Sequence, residues 1–101
     1  MSEAKPVQQT GLRTISVQVG GKTVIGQVRP DLAATIVSVA HCEGFELIGV
    51  GPVYEGVHTT RWVGPIGVAG RGAPEFRSVL MGAFQDFDVL VGSDLLSDSS
   101  N

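Results

Sequence analysis

The run Val89-Leu90-Val91-Gly92-Ser93-Asp94-Leu95-Leu96 constrains the chain more than any other stretch. Three consecutive apolar residues, two of them β-branched, predict a short buried strand. Gly92 stops it, and Ser93 or Asp94 can cap a short helix whose inward face is Leu95 and Leu96. Strand, tight turn and helical turn also occur together in many α/β units. The setting decides, because here the run closes a chain that otherwise reads as β.

The 101 residues make one domain with a modest core, and an apolar fraction of 43% marks it as globular. Fourteen Gly and five Pro in so short a chain favour many turns between short strands. Residues 1 to 11 read as a tail, 12 to 97 as a single barrel domain and 98 to 101 as a second tail. From Thr14 the pattern alternates, with Ile15, Val17 and Val19 on one face. Gly20-Gly21 breaks it, and Lys22 to Val28 follows with Val24 and Val28 on one face, so the two strands form a hairpin. Arg29-Pro30-Asp31 is a turn, since Pro30 fixes φ and lacks a donor. The β-branched centre of Leu32 to Ala40 predicts a strand there. Further strands are predicted over Phe45 to Val50, Val53 to Val57, Thr59 to Val63, Pro65 to Ala69 and Glu75 to Met81. Gly49-Val50-Gly51-Pro52 and the turn Gly70 to Pro74 punctuate them. Short strands with close turn signals predict an all-β fold, a small closed barrel or sandwich.

Charge and composition narrow the function. Seven basic against ten acidic residues give a net charge of −3, which offers nothing to a phosphate backbone and argues against nucleic acid. No apolar run nears the roughly 20 residues needed to span a bilayer. The first residues lack a signal-peptide pattern, and the single Cys42 excludes an intramolecular disulfide, so the cytoplasm is the expected location. No cofactor is indicated, and no metal-ligand set is spaced for one.

In the order of its parts the chain resembles the retropepsin-like, or retroviral-type, aspartic proteases. Asp88-Val89-Leu90-Val91-Gly92-Ser93-Asp94-Leu95-Leu96 is similar to the closing strand and helix of that family, and Val17 to Val28 to the hairpin that delivers its catalytic loop. Ile48-Gly49-Val50-Gly51-Pro52-Val53 looks like its Gly-rich flap. The resemblance runs from Thr14 to Ser97 and implies a small closed barrel with one short C-terminal helix. It also implies a homodimer that takes an extended peptide beneath the flap by strand addition. In the family a strand after the helix joins the intersubunit sheet. Ser97-Asp98-Ser99-Ser100-Asn101 has no such apolar strand, which leaves either a different dimer or a fragment.

The family's working motif is Asp-Thr/Ser-Gly-Ala, then two residues, Thr or Ser, and two apolar residues. Counted from the hairpin and from Thr35-Ile36-Val37, its first three positions hold Arg29-Pro30-Asp31, and Leu32 replaces Ala. The family's hydrolysis needs two carboxylates sharing a proton, one acting as base and the other as acid. Arg is always protonated and can be neither. Two symmetry-related Arg29 side chains about 4 Å apart would repel by about 4 kcal/mol at an effective dielectric near 20. They would splay apart, pair with Asp31 or hold an anion. In an alternative register Asp31-Leu32-Ala33-Ala34 matches the motif and Asp31 is the catalytic carboxylate. That register puts Arg29 and Pro30 on strand positions and loses the bracing hydroxyl.

The resulting expectation is a domain without peptidase activity that binds a peptide or protein segment, or associates with itself. The alternative is an active homodimeric aspartic endopeptidase using Asp31, and a third reading is a structural domain of a larger assembly. Among the remaining residues, His41-Cys42-Glu43-Gly44 reads as a turn, and since neighbours on a strand point to opposite faces the adjoining His41 and Cys42 argue against a Cys-His nucleophile pair. Cys42 reads as a small buried apolar group and His58 as a surface residue. Gly67 to Gly72 lacks the lysine and following helix of a phosphate loop and reads as a turn. Trp62 and Tyr54 fit packing better than a groove.

Overall fold

The computed structural model describes residues 13–98. The expected tails, residues 1 to 11 and 98 to 101, fall outside this range except for Asp98, the last residue of the helix.

The alternation read from Thr14 onward produces a hairpin of β1 (Thr14–Val19) and β2 (Lys22–Val28), in antiparallel register with Val17 opposite Val24. The chain then forms β3 (Ile36–Ser38), a 3-10 turn over Val39–His41, β4 (Glu46–Tyr54), β5 (Val57–Val68), β6 (Glu75–Gly82), β7 (Val89–Val91) and α1 (Ser93–Asp98). The strands are ordered β1-β2-β7-β3-β6-β5-β4, and β1 also pairs with β5. Six strands therefore close a barrel, and β4 lies outside it. The closed barrel with one short helix is the expected architecture.

The two shortest strands are its centre. β7 pairs in parallel with β2 and antiparallel with β3, and β3 pairs in parallel with β6. Every residue of β3 and β7 is buried, as expected of a strand covered on both faces. Alternation sorts their side chains into two cores. Val37, Val79, Met81, Val89 and Val91 join Val17, Val19, Ile66 and Leu95 in one cluster. The intervening Ile36, Leu80 and Leu90 face the other way, where Leu32, Ala34, Tyr54, Phe84 and Phe87 pack against them. Each buried side chain contributes roughly 1.5–3 kcal/mol, so these two clusters outweigh every surface interaction.

Several predicted boundaries are corrected. The strand expected over Leu32 to Ala40 survives only as Ile36–Ser38. Leu32 turns back on Arg29 (N–H to carbonyl, 3.0 Å), and the Ser38 hydroxyl caps the 3-10 turn by accepting from the Ala40 N–H. Gly49 to Pro52 does not interrupt the chain: β4 passes through it with two register shifts, between Leu47 and Gly49 and between Val50 and Val53. Extra residues are absorbed as bulges rather than ending the strand. Likewise Thr59 to Val63 and Pro65 to Ala69 are one strand, β5. On one edge it pairs with β6 from Thr60 to Ile66, with Pro65 opposite Phe76. On the other it pairs with β4 as far as Val63 and with β1 from Ile66, and Pro65 turns its donor-less nitrogen toward the gap between those two, where its carbonyl accepts from the Gly20 N–H.

The end of β7 explains Gly92. A Cβ there would lie 2.8 Å from the Ala34 carbonyl carbon and the Leu32 oxygen, both backbone atoms that cannot swing away. Gly92→Ala is expected to lower the unfolding free energy by about 1–3 kcal/mol, as overpacking does. Urea unfolding followed by the fluorescence of the single Trp62 would measure it.

Candidate functional site

The loop between β2 and β3 is held from beneath by the C-terminal run. The Arg29 N–H donates to the Val91 carbonyl (2.8 Å) and the Ser93 N–H to the Leu32 carbonyl (2.7 Å). Thr35, 1% exposed, closes the loop. Its hydroxyl donates to Asp94 Oδ1 (2.7 Å) and accepts from the Gly92 N–H (3.1 Å), and its own N–H donates to Asp94 Oδ2 (3.2 Å). Asp94 Oδ1 also accepts from the Leu95 N–H at 2.7 Å. The carboxylate read as a cap thus serves mainly as a tie between the loop and α1. Leu95 is buried and Leu96 half-buried against the core, as expected of the inward helix face.

Arg29 and Asp31 are brought together at the loop's outer side. Arg29 Nε donates to Asp31 Oδ1 (3.1 Å) and Nη2 to Oδ2 (2.9 Å), a two-point ion pair. Of the three arrangements open to Arg29, pairing with Asp31 is the one adopted. Their side chains are 36% and 62% exposed, so solvent screens the pair and it adds little to stability. Its effect is on charge. The hydrogen bond from Arg29 holds the Asp31 carboxyl below its ordinary value of 3.8. The same bond raises the Arg29 pKa, with a smaller contribution from the nearby Tyr54 phenol. Pro30 is exposed beside them.

The flap candidates Gly49, Val50, Gly51 and Pro52 lie in the arm of the β4–β5 hairpin, and the tip is Glu55-Gly56, both at positive φ. Gly51 permits close approach: a Cβ there would meet the Thr59 hydroxyl and Leu80 Cδ2. Toward the tip, Tyr54 turns inward. Its ring meets Phe84 edge-on at 6.0 Å, and Phe84 stacks on Phe87 at 4.8 Å. Tyr54 from the hairpin and Leu32 from the loop therefore pack on the same second core. Trp62 packs on the first core and donates to the Thr60 hydroxyl at 2.7 Å. Both aromatics pack as expected.

His41 does not face Cys42 as a catalytic partner: its Nε2 lies 3.0 Å from Asp88 Oδ1, and Cys42 is half-buried against the first core. His58 is exposed. The region expected as a turn at Gly67 to Gly72 begins as the end of β5, and only the residues after Val68 turn. Among the described residues no group of three or more His, Cys, Asp or Glu is placed to hold a metal ion. No helix among them is long and apolar enough to cross a membrane. Sequence reading missed the Thr35–Asp94 tie and the Phe84–Phe87 stack. The only trace of the first was the hydroxyl position preceding Ile36-Val37.

No family model matches the sequence, and no curated protein does. Solved structures match in shape. The EIAV protease complexed with the inhibitor HBY-793 superposes with a TM-score of 0.67 at 13% identity, covering 99% of this chain and 95% of that one. The retroviral protease-like domain of Ddi1 from Leishmania major gives 0.64 at 16% identity, covering 86% of this chain and 76% of that one. The chain therefore has a retropepsin-like fold, and at these identities the likeness is one of fold alone.

Two measurements test the site. Arg29→Gln should let the Asp31 carboxyl titrate closer to 3.8, read by NMR. A depressed folded pKa contributes stability above the unfolded value that is lost as pH falls through the folded one. The wild type should therefore lose this small contribution below about pH 4, and the variant should lack it. Thr35→Val keeps the shape but strands the Gly92 N–H and removes the hydroxyl bond to Asp94 Oδ1. A loss of about 1–3 kcal/mol in urea unfolding is expected.

Proposed function

We propose that this retropepsin-like domain has no peptidase activity and works by binding an extended peptide or protein segment, or by self-association. The observation that carries the reading is the Arg29–Asp31 ion pair in the loop after β2. In the register set by Thr35-Ile36-Val37, a guanidinium stands where the family's chemistry needs a carboxylate. The only carboxylate on the loop is engaged with it. A shared-proton dyad needs one acid kept protonated, which requires a raised pKa. Arg29 drives Asp31 the other way.

The tie around Thr35 favours the same register. Thr35 follows the loop with its hydroxyl fully used, so the bracing role needs no second hydroxyl nearer Asp31. The reading of Asp31 as the catalytic carboxylate of a homodimer would leave Arg29 beside the reacting carbonyl and favouring the ionised form of Asp31.

The purified protein is expected to cleave no member of a diverse peptide library between about pH 3 and 7, the range in which such dyads titrate. It should not bind a statine-type transition-state mimic, by calorimetry. Pepstatin-sensitive cleavage that vanishes in Asp31→Asn would reverse the assignment.

A further inference from the structure

The loop that closes the β1–β2 hairpin carries one glycine more than its geometry needs. Gly20 has φ 63°, and a Cβ on it would lie 2.7 Å from the Glu43 carbonyl oxygen, so glycine is required there. Gly44, on the facing turn, has φ 89° and is required by its backbone as well. Gly21 differs. Its φ is outside the left-handed region, and a Cβ on it would meet nothing within 4 Å. A two-residue hairpin loop with a left-handed first position accepts other residues at its second. Glycine at that second position lowers stability through the entropy of the unfolded chain, and no packing at the site offsets the loss.

What Gly21 borders is a cleft of about 380 Å³, walled by Gly20, Gly21, Lys22, Glu43, Gly44 and Pro65. Backbone bonds frame it: the Gly20 N–H donates to the Pro65 carbonyl (3.0 Å), and the Phe45 N–H closes the facing turn on Cys42 (2.9 Å). The cleft lies at the end of β2 remote from Arg29, so it is separate from the loop described above. A bare Gly21 keeps its wall open, as glycine does where backbone must approach a ligand.

The charges at this cleft select its ligand. Lys22 and Glu43 are both exposed, and neither takes part in an ion pair or a side-chain hydrogen bond. Among the described residues the N–H groups of Gly21 and Gly44 have no acceptor either. A simple anion drawn to Lys22 would meet the Glu43 carboxylate, and a simple cation drawn to Glu43 would meet the Lys22 ammonium. A small ligand bearing both charges satisfies both, since the ammonium only donates and the carboxylate only accepts. We propose that this cleft binds a free α-amino acid. Its carboxylate is held by Lys22 and the Gly21 and Gly44 N–H groups, its ammonium by Glu43, and an apolar side chain lies against Pro65. The volume is at the lower end of the ~300–1,000 Å³ usual for ligand clefts, which suits a ligand of about a dozen non-hydrogen atoms. With so few contacts the Kd is on the order of 1 mM.

Titration of the full chain with L-phenylalanine to about 20 mM, followed by amide NMR shifts, tests it over a range that saturates such a site. The signals of Gly20, Gly21, Lys22, Glu43 and Gly44 should move and level off. N-acetyl-L-phenylalanine, without the ammonium, and L-phenylalaninamide, without the carboxylate, should each bind at least tenfold more weakly. Lys22→Met and Glu43→Gln should each weaken binding at least tenfold, and in Lys22→Met the amino acid should lose its advantage over the amide. Gly21→Leu, which fills the cleft, should remove binding. All three substitutions are at exposed positions, and circular dichroism checks the fold. Shifts that do not saturate or that spread beyond the cleft would overturn the site. So would equal binding of the acetyl derivative or the amide, or wild-type affinity in Gly21→Leu. None of these outcomes bears on peptidase activity, which concerns the Arg29 loop alone.

Discussion

The hydroxyl of Thr35 is the point on which the architecture turns. It is buried, it donates to Asp94 and it accepts from Gly92, so both of its capacities are used. A buried hydroxyl left without partners costs free energy, whereas one bonded twice fixes the elements that supply the bonds. Here those elements are the loop after β2, the end of β7 and the first turn of α1. Gly92 completes the joint by having no side chain, so that the backbone at Leu32 and Ala34 can lie against it.

This joint separates framework from chemistry. The bonds that shape the loop come from backbone groups of Arg29, Leu32 and Ser93 and from Thr35 and Asp94. None needs the side chain of Arg29, Pro30 or Asp31. Those three residues face water, and the ion pair between the first and third is internal to the loop. A carboxylate could be exchanged for a guanidinium there with little effect on the barrel. The match in shape to the protease structures is therefore a property of the framework and does not depend on the side chains of this loop.

The β4–β5 hairpin shows the opposite case, in which packing is left incomplete. Closure of the barrel by β1 and β5 excludes β4, yet β4 keeps apolar residues on the side that continues the interior. The hairpin is anchored at its far end by Tyr54 against Phe84, through the second core. One face is thus held to the body of the domain and the other is turned to solvent.

Local pattern determined much of this protein. The hairpin of Thr14–Val28, the strand Glu75–Gly82 and the sequence Val89 to Leu96 were legible because period-two alternation, Gly-Gly and a three-residue apolar run are short-range signals. The turn at Pro30-Asp31 was legible too, since it follows from the fixed φ of Pro30 itself. Only the tertiary structure decided that Gly49 to Pro52 continues a strand, because bulges depend on a partner's register rather than on local propensity. Only it showed that Pro65 lies between two partners, and that Asp94 reaches back 59 residues to Thr35. Such choices are made by whichever distant group satisfies a buried donor or covers an apolar face, and no window of neighbouring residues contains that group.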